Sequence, residues 1–202
     1  METLLFCLWS KGEEKTKMKL LQILVGKMGL HIERTQPRGF VRFAKEYFKG
    51  KDIIGVEIGV YKGENAQQLL KYLKFQTLFL VDAYVGYADY TTNALIKCYN
   101  EAKKRLKPYK NYEFVIIHSK GFFKTCEIVK RKDLDFIYLD GAHDYENVRQ
   151  DIENSFSLIK KGGVLAGHDI NQEEVAKAIY EFAIKNELRV QIGKRNDWWI
   201  IK

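Results

Sequence analysis

The sequence is poor in the residues that mark disulfide-bonded, proline-rich and membrane-spanning proteins. Its 202 residues include three cysteines, Cys7, Cys98 and Cys126, whose number is odd and whose spacing fits no metal site. Reduced thiols of a cytoplasmic protein are the simplest interpretation. The two prolines exclude a proline-rich linker, and no apolar run approaches the length of a membrane span. The first 15 residues lack a basic start and a small-residue cleavage site, so we expect no signal peptide.

Positive charge is in excess. The net charge is +8, and the first 50 residues contribute +5 of it, from seven lysines and three arginines against five glutamates. Such an excess is found in proteins that bind nucleic acid, acidic membranes or anionic substrates. A solvated, lysine-rich surface explains the same composition without any such partner, and we favour that explanation.

Residues 1–50 have the pattern of a helical extension in front of a main domain, which we place at residues 51–202. Residues 19–28 and 40–48 both carry apolar side chains at helical spacing. The two helices are predicted to cover the domain, to form a lid over a substrate, or to make the contact of a homo-oligomer. The sequence leaves these three roles open.

From Ile53 onward, short apolar strands alternate with amphipathic helices. This alternation implies parallel pairing with right-handed crossovers, and unbroken apolar strands fit a sheet covered on both faces. We therefore predict an α/β fold, with a doubly wound, Rossmann-like, mostly parallel seven-stranded sheet that ends in a C-terminal β-hairpin. The predicted strands are 53–58, 77–81, 114–117, 135–139, 164–166, 188–192 and 198–201, and the helices between them are 65–73, 90–106, 121–130, 145–159 and 172–185.

A glycine-bearing corner joins the first strand to the first helix of this domain. The spacing is E-x-G-x-x-x-G, formed by Glu57, Gly59 and Gly63. Glycine tolerates a positive φ and has no Cβ, so such a corner lets a backbone approach a ligand closely. The spacing differs from the G-x-G-x-x-G turn that binds the pyrophosphate of a dinucleotide.

Polar residues follow the ends of the predicted strands. In an open α/β sheet the ligand crevice lies outside the carboxyl ends of the strands, so we expect these residues along one rim. An acid that ends the second strand, here Asp82, commonly accepts hydrogen bonds from a ribose diol. A single strand-end aspartate is more often a turn or helix cap, but the whole set indicates a site. The set is Glu57, Asp82, Ser119, Asp140 and Asp169.

Two histidines lie in turns that follow neighbouring strands. Asp140 and His143 follow the fourth strand, and His168 and Asp169 follow the fifth. Two carboxylates and two imidazoles in one pocket can supply a general base of near-neutral pKa. They can equally bind a divalent metal such as Mg²⁺. The alternative is that His143 caps the next helix and His168 makes only a structural hydrogen bond.

Residues 50–202 resemble the class I S-adenosylmethionine-dependent methyltransferases. EIGVYKGEN followed by LFLVDAY looks like their cofactor-binding half. The segment YLDGAHDYENVRQDIENSFSLIKKGGVLAGHDI is similar to a small-molecule branch with a D-G-x-H-x-Y pattern, and DWWIIK looks like its last strand. No comparable likeness covers the first 50 residues.

The resemblance implies a role for each motif residue. Glu57, Gly59 and Gly63 would hold the methionine part of the cofactor, Asn65 would lie near its carboxylate, and Asp82 would bind its ribose. Ser119 would lie by the adenine, and Asp140 and His143 by the sulfonium. Tyr61 stands where the family often has a third glycine. The implied cofactor-binding residues are Glu57, Gly59, Tyr61, Gly63, Asn65, Asp82, Ser119, Asp140 and His143.

The same resemblance implies a reaction. His143, His168 and Asp140 would be catalytic, and Asp140, His168 and Asp169 would bind Mg²⁺ or another divalent metal. The expected reaction is methylation of a small-molecule hydroxyl, such as that of a sugar, a phenol or a natural-product intermediate. A nucleic-acid methyltransferase and an NAD-type oxidoreductase are the alternatives, and we do not expect nucleic acid as a partner.

Overall fold

The alternating pattern folds into a seven-stranded sheet in the order β3-β2-β1-β4-β5-β7-β6, as a computed structural model of the chain shows. The first five strands pair in parallel, whereas β7 runs antiparallel to both β5 and β6. The predicted mostly parallel sheet with a hairpin at one edge is therefore confirmed. The strands are β1 (Ile53–Ile58), β2 (Phe75–Val81), β3 (Tyr112–Val115), β4 (Leu134–Leu139), β5 (Ile159–Gly167), β6 (Gln191–Ile192) and β7 (Trp198–Ile201).

Six helices of the described residues cover both faces of the sheet. One apolar cluster contains side chains of α1, α2 and α3, and a second contains side chains of α4, α5 and α6. None of these helices is long and apolar enough to cross a membrane. The helices are α1 (Gly39–Tyr47), α2 (Glu64–Tyr72), α3 (Thr92–Leu106), α4 (Ser119–Thr125), α5 (Tyr145–Leu158) and α6 (Glu173–Lys185).

The structure describes most of one compact unit, residues 37–202. Helix α1 belongs to this unit, because Phe40, Val41 and Ala44 are fully buried in its core. The sequence had placed residues 37–50 in the extension, and the predicted helix at residues 19–28 lies outside the described residues. The described residues are 37–86, 90–127, 130 and 133–202.

Most element boundaries differ from the predicted ones by one to five residues, and the clearest cases are α4 and α5. Helix α4 begins at Ser119 rather than Gly121. Helix α5 was predicted to continue to Ile159 and to stop at the glycine pair 162–163, but it ends at Leu158. The reason is that Ile159 is buried and already pairs with Leu134 of β4 as the first residue of β5. Tertiary pairing overrides the helical pattern there.

Candidate active site

The glycine corner has the positive φ angles that its glycines predict. Gly59 has φ +86° and Gly63 has φ +72°, and Tyr61 between them has φ +50° despite its side chain. A Cβ on Gly59 would lie 2.1 Å from the carbonyl oxygen of Asp140. Glycine is therefore required at position 59, and its absence of a side chain brings the corner against the turn that follows β4.

Asp82, which follows β2, holds the backbone of the glycine corner through hydrogen bonds. Its Oδ2 accepts hydrogen bonds from the backbone N–H groups of Val60 and Tyr61, each at 2.9 Å. Its Oδ1 accepts one from the N–H of Tyr84 at 2.9 Å. A carboxylate oxygen can accept about two hydrogen bonds, so Oδ1 keeps capacity for a ligand hydroxyl.

Glu57 and Asn65 form a buried polar pair behind the corner. Glu57 is 1% exposed and Asn65 is 4% exposed, and Asn65 Nδ2 donates to Glu57 Oε1 at 3.2 Å. Burial raises the pKa of Glu57 to about 8, although the Asn65 bond opposes that shift. Glu57 Oε2 and Asn65 Oδ1 have no hydrogen-bond partner among the described residues. Buried polar atoms are normally paired, so these two atoms mark a place for a ligand.

The turns that follow β4 and β5 meet, as predicted. Leu139 pairs with Gly167 at the strand ends, and the N–H of His168 donates to the carbonyl of Leu139 at 3.0 Å. This pairing brings together two carboxylates and two imidazoles. His143 Nε2 lies 2.9 Å from Asp169 Oδ2, and His168 Nδ1 lies 3.0 Å from Asp169 Oδ1 and 3.6 Å from Asp140 Oδ1.

Asp169, Asp140 and the two imidazoles of this cluster have shifted pKa values. Hydrogen bonds from His143 and His168 hold the pKa of Asp169 well below its usual range. The bond to Asp169 raises the pKa of His143. Burial lowers the pKa of His168, but the hydrogen bond to Asp169 and the negative charges of Asp140 and Asp169 together outweigh burial, and the net shift is upward. Burial raises the pKa of Asp140, and Arg38 and His168 oppose that rise.

The cluster also has the donor set of a metal site. One ligand atom each of Asp140, His143 and Asp169 lie within 4.8 Å of one another. The sequence had grouped His168 with the two carboxylates, whereas in the structure the nitrogen donor of this group is His143. Carboxylate oxygens with imidazole nitrogen suit Mg²⁺ or Mn²⁺ as well as softer divalent ions.

Arg38, which sequence reasoning missed, lies at the same place. Its Nη1 is 3.2 Å from Asp140 Oδ2, and its Nε is 3.2 Å from Asp197 Oδ1. Asp197 is fully buried and also accepts from the N–H of Phe40 at 2.8 Å and from the hydroxyl of Tyr138 at 2.7 Å. The partners of Arg38 are 102 and 159 residues away in sequence. No local pattern could indicate such contacts.

Ser119 occupies a different position from the strand end that was predicted for it. It is the first residue of α4 rather than the end of β3, and its hydroxyl hydrogen-bonds the carboxyl of Asp151 on α5. Burial raises the pKa of Asp151 to about 6, while the Ser119 bond opposes that rise. Asp151 lines one pocket together with Asp140, His143 and Asp169, so Ser119 adjoins the wall of the site.

A family model described as Methyltransferase domain matches residues 56–170. This segment includes the glycine corner, the DGAH turn and the GHD turn that close the site. No curated protein matches the chain in sequence.

Solved structures share the fold at low sequence identity. The O-methyltransferase from Bacillus cereus in complex with SAH is 15% identical, covers 96% of this chain and 93% of its own, and has a TM-score of 0.59. An rRNA methylase from Streptococcus thermophilus is 12% identical over 80% of this chain and 91% of its own, with a TM-score of 0.58. Cofactor-bound Rv0187 from MTB is 13% identical over 99% and 94%, with a TM-score of 0.57.

Proposed function

Since this chain belongs to the methyltransferase-domain family and is an S-adenosylmethionine-dependent methyltransferase, we propose that it methylates a hydroxyl group of a small molecule. The acceptor class is a sugar, a phenol or a natural-product intermediate. The observation that carries this proposal is the pair of imidazoles held by Asp169 beside Asp140. A hydroxyl must lose its proton as it is methylated, and this cluster holds a base where the proton has to go.

The glycine corner is the proposed cofactor site. Glu57, Gly59, Gly63 and Asn65 hold the methionine end, and Tyr61 forms the outer edge of the corner. The residues fit this ligand, because Glu57 Oε2 and Asn65 Oδ1 are buried without partners among the described residues. Asp82 Oδ1 accepts from the ribose, and Ser119 lies by the adenine.

Two imidazole nitrogens of the cluster have no partner among the described residues and can take the acceptor's proton. When bound, the cofactor supplies a methyl group carried on a sulfonium. Asp169 contacts His143 Nε2 and His168 Nδ1. The other nitrogen of each ring, His143 Nδ1 and His168 Nε2, is therefore the one that can accept the proton. The imidazole that takes the hydroxyl proton becomes an imidazolium, and the Asp169 carboxylate stabilises that charge. The alignment of acceptor and methyl group supplies the rest of the rate.

The donor set also supports a divalent metal. Asp140, His143 and Asp169 would hold it, with His168 Nδ1 as a neighbouring donor. A metal at this place would lower the pKa of the acceptor hydroxyl.

We further propose a cytoplasmic enzyme, in keeping with free thiols at Cys98 and Cys126. The acceptor is its small-molecule partner. A homo-oligomer formed through the N-terminal residues is the assembly we propose, and sedimentation of the full chain tests it.

Replacement of Asp82 tests the cofactor site. We expect Asp82→Asn to weaken binding of S-adenosylhomocysteine about tenfold or more, because the amide has one acceptor oxygen for a role that now uses two. Isothermal titration measures the affinity. Asp52→Asn is the matched control, since Asp52 is exposed and pairs with the exposed Lys74. Unchanged affinity in Asp82→Asn would contradict the ribose assignment.

The pH dependence of turnover tests the base. The base must be neutral to accept a proton, and Asp169 raises the pKa of His143 and, against burial, of His168. Turnover should therefore rise with pH, with a midpoint above the ordinary histidine value of about 6.5. In Asp169→Asn the midpoint should move to lower pH, and plateau turnover should fall about tenfold to a hundredfold.

The exposed acid Glu153, changed to Gln, is the control for the pH experiment. A midpoint that stays in place in Asp169→Asn would exclude the histidines as the base. Loss of turnover on treatment with EDTA, with recovery on adding Mg²⁺, would assign the hydroxyl's activation to the metal instead.

A further inference from the structure

Arg38 is a fixed cation beside the carboxylate of Asp140, in the turn that follows β4. Its guanidinium lies 5.4 Å from the centre of the Tyr138 ring, and Asp197 holds its Nε. The backbone N–H of Arg38 donates to Gln68 Oε1 on α2 at 2.8 Å. The side chain is 12% exposed. These contacts set the position of the charge before any ligand arrives.

The guanidinium has donors to spare. Arginine carries five N–H groups and no acceptor. Within the described residues, Nε donates to Asp197 and one N–H of Nη1 donates to Asp140. The remaining N–H groups on Nη1 and Nη2 can bind a planar anion in the forked geometry that a carboxylate prefers.

Arg38 and Asp140 together present opposite charges side by side, with 3.2 Å between nitrogen and oxygen. An α-amino acid carries an ammonium and a carboxylate on one carbon, so a neutral zwitterion is complementary to such a pair. Asp140 touches the glycine corner through Gly59. Glu57 Oε2 and Asn65 Oδ1, which have no partner in the part of the chain that the structure describes, belong to the same corner. The amino-acid end of the cofactor is the zwitterion that this corner is proposed to hold.

We propose that Arg38 binds the α-carboxylate of S-adenosylmethionine. Arg38 thereby selects a cofactor with an intact amino-acid end and positions it against the glycine corner. This inference rests on the proposed cofactor site and adds a residue that precedes the matched family segment, residues 56–170.

The test compares two ligands and three proteins by isothermal titration. The ligands are S-adenosylhomocysteine and its decarboxylated analogue, S-adenosyl-3-thiopropylamine, which keeps the amine. The proteins are the unchanged chain, Arg38→Met, and Arg42→Met as a control on the exposed side of α1. We expect the unchanged chain to prefer S-adenosylhomocysteine about tenfold to a hundredfold. In Arg38→Met that preference should disappear because the analogue's affinity changes little, and Arg42→Met should retain it.

If Arg38 had only a structural role, Arg38→Met would lower the affinity for both ligands equally, and the proposal would be overturned. Equal affinities for both ligands in the unchanged chain would overturn it without any variant, which covers the case in which Arg38→Met does not fold. If Arg38→Met leaves the binary complex unchanged and raises only the acceptor's KM, the carboxylate belongs to the acceptor and the proposal is wrong. If S-adenosylhomocysteine does not bind the unchanged chain at all, the proposed cofactor site itself fails.

Discussion

Gly59→Ala is expected to abolish cofactor binding and to lower the free energy of unfolding by about 3 kcal/mol or more. Two effects add at this position. The backbone has φ +86°, where a residue with a Cβ is strained. The new Cβ would also lie 2.1 Å from the carbonyl oxygen and 2.4 Å from the carbonyl carbon of Asp140. Backbone atoms cannot turn aside as a flexible side chain can, so the corner and the DGAH turn must separate.

Two other glycines allow the loss of stability from backbone strain to be separated from the loss caused by the steric clash. Gly162 has φ +74° with no atom within 4 Å of its ideal Cβ, so Gly162→Ala measures the backbone strain alone, about 1 kcal/mol. A Cβ on Gly141 would be 3.6 Å from the Ile58 side chain, and Gly141→Ala should change stability by less than about 1 kcal/mol. Urea denaturation measures all three variants. A loss in Gly59→Ala no larger than that in Gly162→Ala would contradict the steric argument.

Asp197→Ala is expected to destabilise the fold by about 3–5 kcal/mol, the range for removing one partner of a buried ion pair. The change would leave three buried donors without their acceptor, namely Arg38 Nε, the N–H of Phe40 and the hydroxyl of Tyr138. Asp197 is fully buried, so water cannot replace the lost oxygen atoms without opening the core.

The exposed pair of Asp52 and Lys74 provides the control. Their side chains are 55% and 72% exposed, and Asp52→Ala should change stability by about 1 kcal/mol or less. A second comparison isolates the ion pair. In a chain that already carries Arg38→Met, Asp197→Ala should cost less than it does alone. An effect of Asp197→Ala that matches Asp52→Ala would show that the buried network contributes little.

The sequence predicted the parts of the fold that depend on local pattern. Strand β1 was predicted with its observed bounds, Ile53–Ile58, because an unbroken apolar run before a glycine corner has few alternatives. The turns after β4 and β5 were predicted to meet, since neighbouring parallel strands end at one edge of the sheet. The absence of a pyrophosphate turn argued against a dinucleotide enzyme, and the family match confirms that inference.

The sequence could not predict contacts that only the folded chain creates. Arg38 follows a proline in a segment with no motif, and only the folded chain brings its guanidinium next to Asp140 and Asp197. The end of α5 depended on the pairing of Ile159 with Leu134, which is a property of two distant segments. Ser119 was placed at a strand end by its motif, whereas β3 ends four residues earlier, at Val115.

The span of 159 residues between Arg38 and Asp197 affects when the site can form during synthesis and refolding. During synthesis, the glycine corner and the site histidines are made before Asp197, so Asp197 cannot yet fix Arg38. Contacts between segments this distant also form late in refolding, because closing a long loop is slow. The site should therefore become competent only when β7 enters the sheet between β5 and β6. Trp198 and Trp199 are buried in that strand, so their fluorescence and the return of activity should rise together.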